Sequence, residues 1–291
     1  MIDAPVLCVG ETLWDVLPSG EFLGGAPLNV AGHLTRLGTP VVLLSRVGND
    51  ARGQRARERM LALGMDTTQV QVDPEFPTGE ARAVLDASGS AAYQFLRPAA
   101  WDRIEASAQV LEIARAAPAM VFGTLGQRSA STRDVIQRLL RTSRWRILDI
   151  NLRAPHDDRD TALASLALAD FVKLNEDEVN VIARWLEVAP DPDALRRVLG
   201  ERYGIRSLCI TRGAGAATLW HEGQWVEQAA YPTVVADTVG AGDSFLAMLL
   251  CELLRGSPAG VAMDRAARLA AFVASRSGAI PDYPAGEFEQ V

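Results

Sequence analysis

The stretch DTVGAGDSFLAMLL, residues 237–250, sets a carboxylate, Asp243, directly after Gly240, Ala241 and Gly242 and directly before a strongly apolar run. Three small residues at a helix start leave backbone N–H groups open, and converging N–H groups bind an anion such as a phosphoryl oxygen. A carboxylate beside such a cradle is expected to stay ionised. It sits where an acceptor hydroxyl would meet a terminal phosphate, so it can take the hydroxyl proton. The same spacing also suits a plainer use, an Asp in the first turn of a buried helix that complements the helix dipole by about 0.3–1 kcal/mol.

A second glycine cluster, LGGAPLNVAGHLTRLG at 23–38, again places a Gly-Gly pair, Gly24 and Gly25, before a helical pattern and sets Asn29 in its first turns. Singly, each glycine reads as part of a tight turn. Asn29 leaves two readings open: its amide satisfies local backbone, or it points donor and acceptor at a polyol. No Walker pattern GxxxxGK[ST] and no GxGxxG after the first strand is present, which argues against P-loop and dinucleotide-binding chemistry. Lys173 is the only lysine, so any mechanism needing an amine must use it.

The elements that must carry these residues show in the alternation of short apolar runs with longer amphipathic ones. Residues 6–10, 41–48, 119–123, 144–150, 170–174 and 207–211 read as central strands. Residues 27–37, 51–63, 129–142, 176–186 and 192–202 read as helices, and 241–255 and 259–276 as two further helices, both buried. This pattern predicts a three-layer α/β/α domain around a mostly parallel sheet. Residues 11–25 and 78–97 depart from it as strand–turn–strand units, the second around Asp86–Ser90, and are expected to form a small β-sheet lid. With no flexible linker or repeat, the chain 1–291 reads as a single domain with that excursion.

Bulk composition narrows the partners. With 29 basic against 36 acidic residues the chain is acidic, which disfavours nucleic acid. Cys8, Cys209 and Cys251 are too scattered for a disulfide framework or thiolate metal site. No signal segment or membrane span is evident, so no membrane partner and a cytoplasmic location are expected. His33, His156 and His221 are too scattered for a metal motif and read as surface or helix residues, and Trp14 and Trp101 as packing residues.

Taken together, GGxxxNxAxxLxRLG and DTxGAGDxF, in this order and about 200 residues apart, resemble the paired signatures of the ribokinase-like (PfkB) family of carbohydrate kinases. DINLR (149–153), KLNEDEV (173–179) and TRGAGA (211–216) fit the same family, and GETLWDVLPSGEFLGGAPLNVAGHL with FLRPAAWD look most like its bacterial fructokinases. The resemblance implies a ribokinase-like fold and ATP-dependent phosphorylation of a sugar hydroxyl, most readily fructose at O6. Ribose, 2-keto-3-deoxygluconate or a nucleoside are the alternative acceptors, and a catalytically silent sugar-binding protein is the alternative outside catalysis.

The resemblance also implies roles, residue by residue. Asp243 would be the base and the amides of Gly240, Ala241 and Gly242 the anion hole. Asp15, Gly24, Gly25 and Asn29 would hold sugar hydroxyls. Arg97, in FLRPAAWD, leaves two readings open from its position alone: it closes over sugar or phosphate from the lid, or it is a solvent-facing arginine at a strand end. Asn175, Thr211 and Gly213 would meet the nucleotide, and Glu178 the Mg²⁺ region. Asp237 and the Val239 carbonyl match positions that hold a monovalent cation, K⁺, in relatives. The family's acidic sugar contact after the fourth strand has no match in GTLGQRS, where Gln127 and Arg128 stand as candidates. Apart from the resemblance, lid edges exposed as unpaired strands can pair between subunits, so a homodimer through the lid is an expectation.

Overall fold

The computed structural model describes residues 4–17, 20–85, 91–284 and 286–288. The chain runs β1 (Val6–Val9), β2 (Leu13–Leu17), β3 (Gly20–Gly24), α1 (Ala26–Arg36), β4 (Val41–Gly48), α2 (Ala51–Ala62), β5 (Val70–Asp73), β6 (Gly79–Leu85) and β7 (Ala91–Phe95). It continues through α3 (Ala108–Ala116), β8 (Met120–Gly123), α4 (Ala130–Leu140), β9 (Arg146–Asp149), α5 (Arg159–Leu166), β10 (Phe171–Asn175) and α6 (Glu176–Leu186). The last elements are α7 (Pro192–Tyr203), β11 (Ser207–Thr211), β12 (Ala217–His221), β13 (Gln224–Gln228), α8 (Ala241–Leu254) and α9 (Ala259–Ala274).

Nine strands form the central sheet in the order β13-β12-β11-β10-β9-β8-β1-β4-β5. The seven from β11 to β5 pair in parallel and the β12–β13 hairpin adds an antiparallel edge. Helices cover both faces: one apolar cluster joins the sheet to α1, α2, α8 and α9, the other to α3, α4, α5, α6 and α7. Strands covered on both faces must be apolar throughout, and β1 is wholly buried along its length. This is the three-layer α/β/α arrangement that the alternation predicts.

Five elements lie outside the predicted set: β5, α3, α5, β12 and β13. Only four residues make up β5, and α5 has hardly more apolar residues on one face than on the other. The β12–β13 turn puts both Glu222 and Gly223 at positive φ, the geometry of a two-residue hairpin.

The residues expected to project as strand–turn–strand units form a separate four-stranded sheet in the order β3-β2-β6-β7. Its centre pair, β2 and β6, is parallel, and the two outer pairs are antiparallel. The expected turn at 86–90 lies outside the described residues. Among the described residues no helix is long and apolar enough to cross a membrane. The three cysteines are free and buried, as their spacing implied.

Candidate active site

Helix capping separates structural ends from open ones. Asp50, Ser107, Ser129, Asp158, Asn175 and Asp191 each cap the helix that follows them with a side-chain oxygen. The starts of α1 and α8 have no side-chain cap; glycines, Gly25 and Gly240, stand there instead. Both glycines are dictated by space as well as conformation. Gly25 has φ 120°, and a Cβ there would lie 2.3 Å from the Glu11 carbonyl oxygen. Gly240 has φ 78°, and a Cβ would lie 2.6 Å from the Ala279 backbone.

With no cap, the N–H groups of Gly240, Gly242 and Asp243 meet no acceptor among the described residues. The Ala241 N–H bends back to the Thr238 carbonyl at 3.3 Å. The expected cradle therefore has Gly240, Gly242 and Asp243 as its free donors, with Ala241 held by a long turn bond.

The two glycine clusters meet at one hydrogen bond: Asn29 Nδ2 donates to Asp243 Oδ2 at 2.7 Å. Asn29 is buried, and its Oδ1 is left without a partner. Of its two open readings, the one in which the amide satisfies local backbone is excluded, because both polar atoms face away from such bonds. Asp243 keeps partial solvent access, but its carboxyl lies deep in protein. Burial, reinforced by the negative charge of Asp149, pushes it up to about 6 against the pull of Asn29, Lys173 and Arg153. The expectation that Asp243 stays ionised holds at neutral pH, with burial bringing it closer to its proton than an ordinary aspartate.

Two further carboxyls surround it. Asp15, on β2, packs its Oδ2 against the Gly24 α-carbon, where a Cβ would approach to 2.5 Å. Burial pushes Asp15 up to about 6, with the Arg153 charge opposing and Asp243 and Asp237 adding to the rise. Glu11, buried at the exit of β1, accepts the Ala26 N–H at 3.2 Å through Oε1 while Oε2 has no partner. Burial raises Glu11 to about 7, and Asp243 adds to the shift. Glu11 and Arg153 belong to quoted stretches, but their part in this cluster is invisible in one dimension.

Beneath α8 the only lysine finds its use. Lys173 Nζ bonds both Asp149 oxygens at 2.9 and 3.0 Å, and the two residues are register partners on β10 and β9. A Cβ on Gly242 would stand 3.4 Å from that Nζ, so the ammonium lies directly under the first turn of the helix. Burial alone would lower the Lys173 pKa, but Asp149 and Glu178 beside it hold it above its ordinary value.

The remaining expected residues divide. Asn175 and Thr211 are partners at the carboxyl ends of β10 and β11, next to the exposed Gly213 at φ 54°. Glu178 is a buried capping-box residue: its oxygens accept the Leu152 and Asn175 N–H groups, both at 2.8 Å, while Asn175 caps its own N–H. This capping role stands beside the expected place of Glu178 in the Mg²⁺ region. Asp237 accepts the Val239 N–H at 3.0 Å and the Gly278 N–H at 3.3 Å.

Other candidates do not join the cluster. Arg97 is exposed and makes no hydrogen bond or ion pair among the described residues. Gln127 is buried: its Nε2 donates to the Gly123 carbonyl and to Ser165 Oγ, while its Oε1 has no partner among the described residues. Arg128 clamps Asp102 and stacks on Trp101. Trp14 and Trp101 are packed, as expected. His33 lies on a helix but is fully buried, bonded to Tyr283 Oη and the Ala279 carbonyl, both at 2.9 Å, and burial lowers it to about 4.

Comparison with known proteins gives the family and relatives of this chain. The model of the family described as pfkB family carbohydrate kinase matches residues 18–286. A fructokinase of Klebsiella pneumoniae is 29% identical over 270 residues, covering 87% of this chain and 85% of its own. Fructokinase of Xylella fastidiosa with bound ATP superposes with a TM-score of 0.84 at 23% identity, over 97% of this chain and 95% of that one. Fructokinase of Vibrio cholerae bound to fructose, ADP and calcium ion gives 0.80 at 20%, over 98% and 97%. Aminoimidazole riboside kinase of Salmonella enterica gives 0.79 at 23%, over 97% of each chain.

Proposed function

Because the chain belongs to the pfkB family of carbohydrate kinases, we propose that it is an ATP-dependent fructokinase that transfers the γ-phosphoryl group to O6 of fructose. The observation that carries this reading is the meeting of Asn29 and Asp243 at the uncapped start of α8, with an unpartnered Asn29 oxygen and free amides on either side. Unsatisfied buried acceptors are uncommon, and two of those in this chain, Asn29 Oδ1 and Glu11 Oε2, border this one region. A polyol is a ligand that supplies the missing donors.

The chemistry follows from the residues. Asn29, Asp15 and the backbone at Gly24 and Gly25 hold sugar hydroxyls and fix the acceptor oxygen near Asp243. As that oxygen bonds to the γ-phosphorus, its proton passes to Asp243 and the bond to the ADP oxygen breaks. A base that titrates near 6 is largely unprotonated at neutral pH yet still basic enough to accept a proton. The free amides of Gly240 and Gly242, joined by Ala241 once its long bond to Thr238 gives way, receive the charge on the moving group. The Lys173–Asp149 pair holds the floor of that cradle, and the nucleotide lies along Asn175, Thr211 and Gly213.

Mg²⁺ would neutralise the nucleotide phosphates. Both Glu178 oxygens are occupied by backbone donors, and no cluster of three or more ligating side chains exists among the described residues. The residues therefore fit a cation held by phosphates and water, with Glu178 acting through water. Asp237 and the Val239 carbonyl are the proposed K⁺ site, beside the amides that Asp237 already orders. The small sheet is the proposed lid of a single domain, with Arg97 at its rim. Its outer strands, β3 and β7, are the proposed dimer edges. A cytoplasmic location follows from the need for ATP.

The fold does not choose the acceptor, since the Salmonella enterica protein named for a riboside shares it. A panel of fructose, ribose, 2-keto-3-deoxygluconate and nucleosides, followed by ADP release and by NMR of the product, tests the assignment. Fructose is expected to give the highest kcat/KM and a 6-phosphate; a higher value for another acceptor overturns fructose while keeping the kinase.

A further inference from the structure

A cavity of about 750 Å³ lies between the small sheet, α2 and the segment 276–282. It is distinct from the reaction centre. Trp14 lines it, and its neighbour on β2, Asp15, does not. None of the residues assigned above to sugar, nucleotide or cation lines its wall.

Its charge is decided by which side chains are already paired. Arg55, Arg59 and Arg276 face it together with Glu21, Glu58 and Asp282. Glu21 is taken by Arg52 and Arg55, and Asp282 by Arg36, which does not line the cavity. Glu58 accepts from Gln54 one turn back on α2. The guanidinia of Arg59 and Arg276 have no hydrogen bond or ion pair among the described residues; Arg276 only lies over the Phe272 ring, 5.2 Å away. Two uncommitted guanidinia, one on α2 and one just beyond the end of α9, thus line the same cavity. Beside them stands the indole of Trp14, covered by Arg55 at 4.4 Å.

We propose that this cavity is a second ligand site, taking a small phosphate monoester dianion bound by Arg59 and Arg276. Two guanidinium forks match the geometry and charge of a phosphate dianion, and the volume falls within the range of small-molecule pockets. The apolar part of the ester rests on Trp14. The segment that forms one wall also bonds Asp237 through the Gly278 N–H and backs onto Gly240 through Ala279. A ligand here therefore touches the segment that shapes the phosphoryl cradle.

Calorimetric titration with phenyl phosphate at low salt tests the assignment, comparing the wild type with R59Q/R276Q. The reaction centre is common to both proteins, so any binding there cancels in the comparison. The wild type is expected to bind a further equivalent whose affinity drops at least about tenfold in the double variant, and phenol is expected not to fill it. Both arginines are exposed, so thermal melting and turnover of the variant should match the wild type. Single R59Q and R276Q variants should each weaken the extra equivalent. Equal binding by wild type and variants, no extra equivalent in the wild type, or equal binding of phenol overturns the proposal.

Discussion

Asn29 Nδ2 and Asp243 Oδ2 lie 2.7 Å apart although 214 residues separate them in the chain. The bond ties the starts of α1 and α8, two helices that lack side-chain caps, into one surface. It also makes the proposed base the acceptor of a buried amide, so position and acidity are set by one contact.

If Asp243 accepts the hydroxyl proton, D243N removes the base and keeps the shape. Turnover should fall by about 10²- to 10⁴-fold, the usual worth of a positioned base, with nucleotide affinity little changed. Steady-state kinetics paired with ADP titration would show it. A variant retaining most of its kcat would remove Asp243 from the proton transfer.

The pH profile carries a second expectation. Activity requires the ionised carboxylate, so kcat/KM should decline as pH falls through about 6, well above an ordinary aspartate. Asn29 pulls that value down by donating to the charged form. In N29L the acid limb should therefore move to higher pH, alongside a raised KM for the sugar. A limb that stays in place in N29L would mean that the bond does not tune the base.

Lys173→Met leaves Asp149 buried without its partner. The loss in stability at neutral pH should be about 3–5 kcal/mol, read by denaturant unfolding. Because the Lys173 charge lowers the Asp243 pKa, the acid limb should shift upward in whatever protein folds. An exposed ion pair would cost far less, so a loss under about 1 kcal/mol would show the pair to be solvated.

Glu11→Gln concerns stability against pH. The folded-state pKa of Glu11, about 7, is above its ordinary value of 4.5, so the fold favours the uncharged acid. The stability this contributes is fully present below about 4.5 and is lost as pH rises through 7, on the order of 3 kcal/mol in all. The wild type should thus lose stability from pH 5 to 8 more steeply than E11Q, and E11Q should be the more stable at pH 8. Parallel melting curves for the two proteins across that range would place the Glu11 proton elsewhere.

Much of this was legible before any coordinates. The strand and helix alternation gives the layers because each element buries its own apolar face, and the glycine clusters mark two of the helix starts that have no side-chain cap. What stays hidden is pairing across distance: nothing local joins Lys173 to Asp149, or Glu11 to Asp243. The spacing of Glu178 from Asn175, three residues, is that of a capping box, a signal present in the sequence itself. The β12–β13 hairpin also carries a local signal, the Glu222-Gly223 turn.

The sole lysine of the chain is sealed under α8 with its nitrogen held by Asp149. Acetylation, methylation and similar edits to lysine ammonium groups consequently find no side chain to act upon at the surface. Adjustment of such an enzyme to the state of the cell therefore cannot take the form of a covalent mark on a lysine amine.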